Sequence, residues 1–184
     1  QTLHFKQIFE IARCEGDKAD FRHIPFGNVL GENRKLMKTR SGENVALRDL
    51  LEEAITRAEK IIAEKNPELS EPERKEIAKI IGIGAVKYAD LSQYRMTDYI
   101  FSWDKLLALH GNTAPYLQNA YVRIRSIFRK AGPSRTGVSK IDEVKLAEPT
   151  ELALAKRLCQ FAEVVPQVLN DFRTNILANY LFEL

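Results

Sequence analysis

The side chains of this sequence that are best suited to binding chemistry lie between residues 111 and 141, a basic segment without any Asp or Glu. The whole chain carries 28 Lys and Arg residues against 25 Asp and Glu residues, so the positive charge is concentrated locally. Guanidinium and ammonium groups are the side chains that bind phosphate oxygens. The cations of the basic segment are Arg123, Arg125, Arg129, Lys130, Arg135 and Lys140.

Most of the basic segment is predicted to form one amphipathic helix, from about residue 113 to residue 131, which ends at Gly132 and Pro133. One face is apolar and is expected to be buried; it consists of Leu117, Tyr121, Ile124 and Phe128. A second face carries Asn112, Tyr116, Asn119, Arg123 and Lys130. A ring beside amides and cations suits unstacked bases and phosphates. The alternative is a solvated basic face, with Tyr116 half-buried, that binds nothing.

A second group of cations, Lys35, Lys38 and Arg40, lies in a glycine-bounded loop that leads into a helix predicted from about residue 47. A flexible cationic loop can close over a polyphosphate and stabilise the negative charge that develops during phosphoryl or nucleotidyl transfer. The alternative is a basic loop without phosphate chemistry. His4, at the start of a helix predicted over residues 2–13, is a candidate ligand-facing group; the alternative is a capped or packed histidine.

The remaining elements are predicted to be mostly helical. Residues 20–30 have the β-forming composition of a strand. Ser70 and Glu73 form a capping box that opens a helix running to about Leu91. Gly82 and Gly84 lie within that helix, where glycine is unfavourable, which predicts the close approach of another backbone or of a ligand. Two final helices are expected, one closing at Pro166 and the other covering residues 169–184.

Composition sets outer limits on the chain. Its 184 residues, 45% of them apolar, can bury one good core or two small ones. The two cysteines, Cys14 and Cys159, are far apart and lack metal-binding spacing, so we expect neither a disulfide nor a metal site. This cysteine usage is typical of a reducing compartment. No apolar run approaches the length of a membrane span. The chain begins at Gln1 and ends within an apolar stripe, which indicates a piece of a longer protein.

Four segments resemble segments of one protein family, and they follow one another in the same order as in that family. They are LHFKQIF, KLMKTRSG, GIGAVKYADLSQYRMTDYIFSWDK and HGNTAPYLQNAYVRIRS. The family is the class I arginyl-tRNA synthetases, and the resemblance covers nearly the whole chain. It implies ATP-dependent attachment of arginine to its tRNA through an arginyl-adenylate. It also implies a mostly α fold: a helical anticodon-binding bundle preceded by a short α/β remnant of a Rossmann-type catalytic domain.

The resemblance also implies roles for individual residues. KLMKTRSG corresponds to the KMSKS loop of class I synthetases, so Lys35, Lys38 and Arg40 are expected to bind ATP phosphates, with Mg²⁺ accompanying the ATP. Tyr116 and Arg123 match positions expected to contact the anticodon loop. Asn119 stands where the family usually has Tyr, so we expect an amide hydrogen bond there instead of a ring stack. The implied division is residues 1–46 as the catalytic remnant, 47–110 as a connecting helical region and 111–184 as the anticodon-binding domain.

The expected partners are arginine tRNA, ATP and arginine, in the cytoplasm, with neither DNA nor a membrane. The HIGH signature and the arginine pocket of the family are not in this sequence, so we expect no aminoacylation by the chain alone. Two other hypotheses stay open: a free-standing helical RNA-binding module, and a helical protein whose basic helix contacts an acidic partner. The cationic loop distinguishes the first hypothesis from the other two, and salt dependence distinguishes RNA binding from protein binding.

Overall fold

The computed structural model describes residues 1–31, 33–35, 47–132 and 145–184. Helices form most of the described chain and the strands are short, which confirms the predicted fold class. The helices are α1 (Thr2–Cys14), α2 (Leu47–Lys65), α3 (Glu71–Leu91), α4 (Trp103–Leu106), α5 (Ala114–Ala131), α6 (Pro149–Cys159), α7 (Phe161–Asp171) and α8 (Thr174–Glu183). The strands are β1 (Val29–Leu30) and β2 (Tyr99–Ile100). No helix of the described residues is long and apolar enough to span a bilayer.

The centre of the core is the contact between α2 and α3, and small residues bring the two helices together. Ala54 on α2 and Ala78 on α3 are fully buried. A Cβ atom added to Gly82 would lie 2.8 Å from the carbonyl carbon and oxygen of Ala54. The close backbone approach predicted for this glycine is therefore confirmed. A Cβ atom at Gly84 would lie 2.7 Å from Nε2 of Gln118, so the second glycine faces α5.

The start of α3 has the predicted capping box. The Glu73 carboxylate accepts hydrogen bonds from the backbone N–H of Ser70, at 3.1 Å, and from the Ser70 hydroxyl, at 2.5 Å. These bonds to Ser70 lower the pKa of Glu73 because they stabilise the charged carboxylate. The box fixes the direction in which α3 leaves the preceding turn, and α3 in turn supports α5 and α8.

The strand predicted over residues 20–30 is wrong for most of its length, because only Val29 and Leu30 form a strand. They pair in parallel with Tyr99 and Ile100, and a two-residue partner can order only two residues. The composition of the segment was that of a strand, but a strand also needs a neighbour to accept its backbone hydrogen bonds.

The prediction of two C-terminal helices is also wrong, because the described residues 145–184 form three. Pro166 lies inside α7 and does not end a helix. Proline has no N–H to donate to the carbonyl four residues earlier, that of Ala162, yet α7 continues past it to Asp171. The break between α6 and α7 is at Gln160. The next break is at Phe172, which has a left-handed backbone with φ of 51°.

Arg95 holds the turn between α7 and α8 against the end of α3. Its Nη1 donates to the carbonyl oxygens of Asp171, at 2.5 Å, and Phe172, at 3.2 Å. The hydroxyl of Thr174 donates to the carbonyl of Leu91 at 2.9 Å. These bonds satisfy carbonyls at the ends of two helices, which otherwise lack intrahelical partners. As a result α8 lies beside α3 and next to the start of α5.

Candidate nucleic-acid interface

Tyr116 lies in the first turn of α5, and the backbone before it is tightly fixed. The Thr113 hydroxyl donates to the carbonyl of Ala108 at 2.7 Å and accepts from the N–H of Tyr116 at 3.3 Å, so Thr113 caps the helix. Ala114 and Pro115, which follow the cap, are buried. Tyr116 itself is 39% exposed. The predicted helix boundaries, residues 113–131, are confirmed within one residue.

The polar face predicted for α5 is exposed along the helix. Asn119, Arg123 and Lys130 are all exposed, and they lie on the side of α5 that carries Tyr116. Among the described residues neither Arg123 nor Lys130 forms an ion pair. Within the described part of the protein, these two cations are therefore available to bind an anion. The partly covered Tyr116 ring, 39% exposed, fits the solvated alternative as well as the RNA-binding interpretation.

The apolar stripe predicted to be the buried face of α5 is largely exposed. Tyr121, Ile124 and Phe128 are 63%, 53% and 46% exposed, and only Leu117 is partly buried. The prediction of burial is wrong for these three residues in the described structure. The reason is that α5 packs on α3 through its first turns, where Gln118 donates to the carbonyl of Ile80 at 3.4 Å and fits against Gly84.

A group of polar side chains joins α3, α8 and the residue preceding the cap of α5. The Tyr88 hydroxyl lies 2.5 Å from Oδ1 of Asn112 and 3.1 Å from the carbonyl oxygen of Ala178. Nδ2 of Asn112 donates to Oδ1 of Asn179 at 3.0 Å. Burial raises the pKa of the Tyr88 hydroxyl, which keeps it a donor. Asn112, placed by sequence on the ligand-binding face, is used instead to connect helices.

Sequence reasoning missed Phe182, whose ring meets that of Tyr116. The two ring centroids are 5.6 Å apart and the planes are inclined at 64°, an edge-on contact. The available signal was that Phe182 falls off the apolar stripe predicted for the last helix. Tyr116 and Phe182 are far apart in the sequence, so their contact could not be predicted from local patterns.

The predicted phosphate loop is described only at its beginning. Lys35 is exposed in a tight turn after β1, in which the N–H of Gly31 donates to the Lys35 carbonyl and the N–H of Lys35 donates to Oδ1 of Asn33, both at 2.9 Å. The other loop cations, Lys38 and Arg40, and the distal cations of the basic segment, Arg135 and Lys140, lie outside the described residues.

The N-terminal candidate, His4, is exposed on α1, and its ring lies 6.1 Å from that of Phe5. No contact in the described structure brings its imidazole to Lys35. Within residues 1–31, 33–35, 47–132 and 145–184, no group of three or more His, Cys, Asp or Glu side chains is arranged to hold a metal ion.

Comparison with known proteins finds two matching family profiles, one over each half of the chain. The family profile for the catalytic domain of class I tRNA synthetases of the arginine type matches residues 1–103. The chain belongs to the class I arginyl-tRNA synthetase family. The profile for the DALR anticodon binding domain matches residues 117–184, which include α5 from its second turn onward and the whole of α6, α7 and α8. The resemblance noted in the sequence is thereby confirmed.

Individual relatives from this family agree in name and in fold. Arginine–tRNA ligases of Alteromonas mediterranea and Pseudoalteromonas translucida are 48% and 49% identical over the whole chain, which spans 32% of each relative. The arginyl-tRNA synthetase of Plasmodium falciparum superposes with a TM-score of 0.78 at 31% identity, covering 100% of this chain and 31% of that one. The Thermus thermophilus arginyl-tRNA synthetase gives 0.69 at 34% identity, covering 84% and 24%.

Proposed function

We propose that this chain supplies the anticodon-contacting surface of an arginine–tRNA ligase, with α5 as the helix that meets the RNA. Tyr116 stacks on an unstacked base, Asn119 offers an amide hydrogen bond, and Arg123 and Lys130 bind backbone phosphates. The observation that carries the proposal is the partly exposed Tyr116 ring at the fixed start of α5, on the same side as cations that have no acidic partner among the described residues.

We propose a division of labour within the chain, in which residues 1–46 contact ATP and residues 111–184 bind the anticodon. Residues 47–110, most of which the catalytic-domain profile also matches, connect the two. Lys35, Lys38 and Arg40 bind the phosphates of ATP and stabilise the charge that develops on them as arginyl-adenylate forms. Mg²⁺ accompanies the ATP and neutralises part of its phosphate charge. Arginine and arginine tRNA are the other partners, and the setting is the cytoplasm.

We further propose that the 184-residue chain binds RNA without catalysing aminoacylation, because the HIGH signature is not in its sequence. His4 remains a candidate cofactor contact in this scheme. Aminoacylation assays on the chain alone should give no charged tRNA above background. RNA binding is the activity to measure, and it is sensitive to ionic strength in a way that identifies phosphate contacts.

Replacing Arg123 with Ala should weaken RNA binding and flatten its salt dependence. If the guanidinium neutralises one phosphate, the slope of log affinity against log salt should decrease in magnitude by about 0.7 to 0.9. The measurement is fluorescence anisotropy of a labelled arginine tRNA at several salt concentrations. Lys6→Ala is the matched control, because it removes the same charge from an exposed position on α1. An unaltered slope for Arg123→Ala would place that side chain away from phosphate.

A further inference from the structure

We propose that Phe182 of α8 is a positioning residue for Tyr116, so that the RNA-binding surface spans α5 and α8. This inference rests on the proposed function and adds a residue that the sequence did not indicate. Its basis is the edge-on contact of the two rings, with centroids 5.6 Å apart. Aromatic pairs in this arrangement attract each other beyond the apolar area they bury. Phe182 therefore restricts the orientations that the Tyr116 ring can adopt.

The contact between Phe182 and Tyr116 is set by the hydrogen bonds that connect Tyr88, Asn112 and Asn179. Asn112, which precedes the cap of α5, hydrogen-bonds to Asn179, which lies about one helical turn before Phe182 on α8. The Tyr88 hydroxyl, from α3, contacts Asn112 and the carbonyl of Ala178. A third helix, α3, thus fixes the start of α5 relative to α8. This arrangement also fixes the positions of the Tyr116 and Phe182 rings relative to each other.

Exposure distinguishes Phe182 from the residues that hold α8 in the fold. Ala178 and Tyr180 are 5% and 3% exposed, and they carry the packing of α8. Phe182 is 36% exposed, close to the 39% of Tyr116. A pair serving only as core would be covered, whereas here both rings keep surface that a base can reach. Removing Phe182 is therefore expected to free the Tyr116 ring with little effect on the helix beneath it.

The mechanism is preorganisation. A tyrosine that is free to rotate loses that freedom when a base stacks on it, and the loss reduces affinity. A ring already restrained by Phe182 has less freedom to lose. The partner is a single-stranded nucleotide of the anticodon loop, because only an unstacked base presents a face to a half-exposed ring.

The test is a double-mutant cycle in the 184-residue chain, with a hairpin RNA carrying the anticodon stem and loop of an arginine tRNA as the probe. Phe182→Ala should weaken binding by about 2- to 10-fold, the range for an aromatic pair. Phe182→Tyr, which keeps the ring, should restore binding to within about twofold of the wild type. Leu181→Ala is the control, because Leu181 is the neighbouring residue and is 42% exposed.

The double-mutant cycle distinguishes a role of Phe182 in positioning Tyr116 from a direct contact of Phe182 with the RNA. In the Tyr116→Ala background, Phe182→Ala should cause no further loss, since there is no ring left to position. A full additional loss in that background, or unchanged binding by Phe182→Ala alone, would overturn this inference. If Tyr116→Ala itself has no effect, the proposed function fails first. If Tyr116→Ala weakens binding and Phe182→Ala does not, only the role of Phe182 is refuted.

Discussion

Replacing Tyr116 with Ala should weaken the binding of arginine tRNA by about 1–3 kcal/mol, the range for losing one base stacked on an aromatic side chain. The variant should also lose its preference for arginine tRNA over a tRNA with an altered anticodon, because the lost contact is with a loop base and not with the backbone. Titration of both RNAs at one salt concentration measures the two effects together. The salt dependence should be unchanged, since no charge is removed.

Tyr121→Ala is the matched control for this prediction. Tyr121 is on the same helix and is 63% exposed, but it belongs to the apolar stripe and not to the face that carries Tyr116. Its removal should leave RNA affinity and anticodon preference unchanged. Equal losses in the two variants would mean that α5 does not present one specific face to RNA. Tyr116→Phe should bind nearly as well as the wild type, because stacking needs the ring and not the hydroxyl.

Replacing Gly82 with Ala should lower the free energy of unfolding relative to Gly84→Ala by about 1–3 kcal/mol, the usual cost of overpacking a core. Both substitutions gain the same helix propensity on α3, about 1 kcal/mol, so this gain cancels in the comparison. They differ in what the new Cβ meets. At Gly82 it would lie 2.8 Å from the backbone of Ala54, and at Gly84 it would lie 2.7 Å from the amide end of the Gln118 side chain.

A backbone cannot yield without moving α2, whereas a glutamine side chain can rotate away and give up only the 3.4 Å bond to Ile80. Urea unfolding followed by circular dichroism measures the difference between the two variants. Equal stability of the two proteins would show that α2 and α3 can separate slightly without cost. That result would remove the reason for placing glycine at the contact.

Local signals in the sequence predicted where α3 and α5 begin. The capping box at Ser70 and Glu73 and the start of α5 at Thr113 were confirmed, because a cap uses atoms within a few residues of one another. The contact made by Gly82 was also predicted, since a glycine inside a helix has a cost that tertiary packing must offset. The starts of these two helices, and one helix contact, therefore follow from nearby residues.

Features that depend on distant partners could not be predicted from local patterns. The strand at residues 20–30 failed because pairing is limited to Tyr99 and Ile100. The apolar face of α5 was expected to be buried from its periodicity alone, but periodicity does not say how many turns of a helix have a neighbour. The contact between Tyr116 and Phe182 depends on the packing of α8 beside α5, which Asn112, Asn179 and Tyr88 fix in space.

The most direct test of the proposal that α5 reads the anticodon is the affinity of the unmodified chain for two hairpin RNAs. One carries the anticodon stem and loop of an arginine tRNA, and the other has the same stem and loop with abasic nucleotides at the anticodon positions. At equal salt concentration the first should bind more tightly by at least about fivefold, the lower end expected when one base stack is lost. Equal affinity for the two hairpins would contradict the proposal and would leave α5 as a basic helix that binds RNA only through its charge.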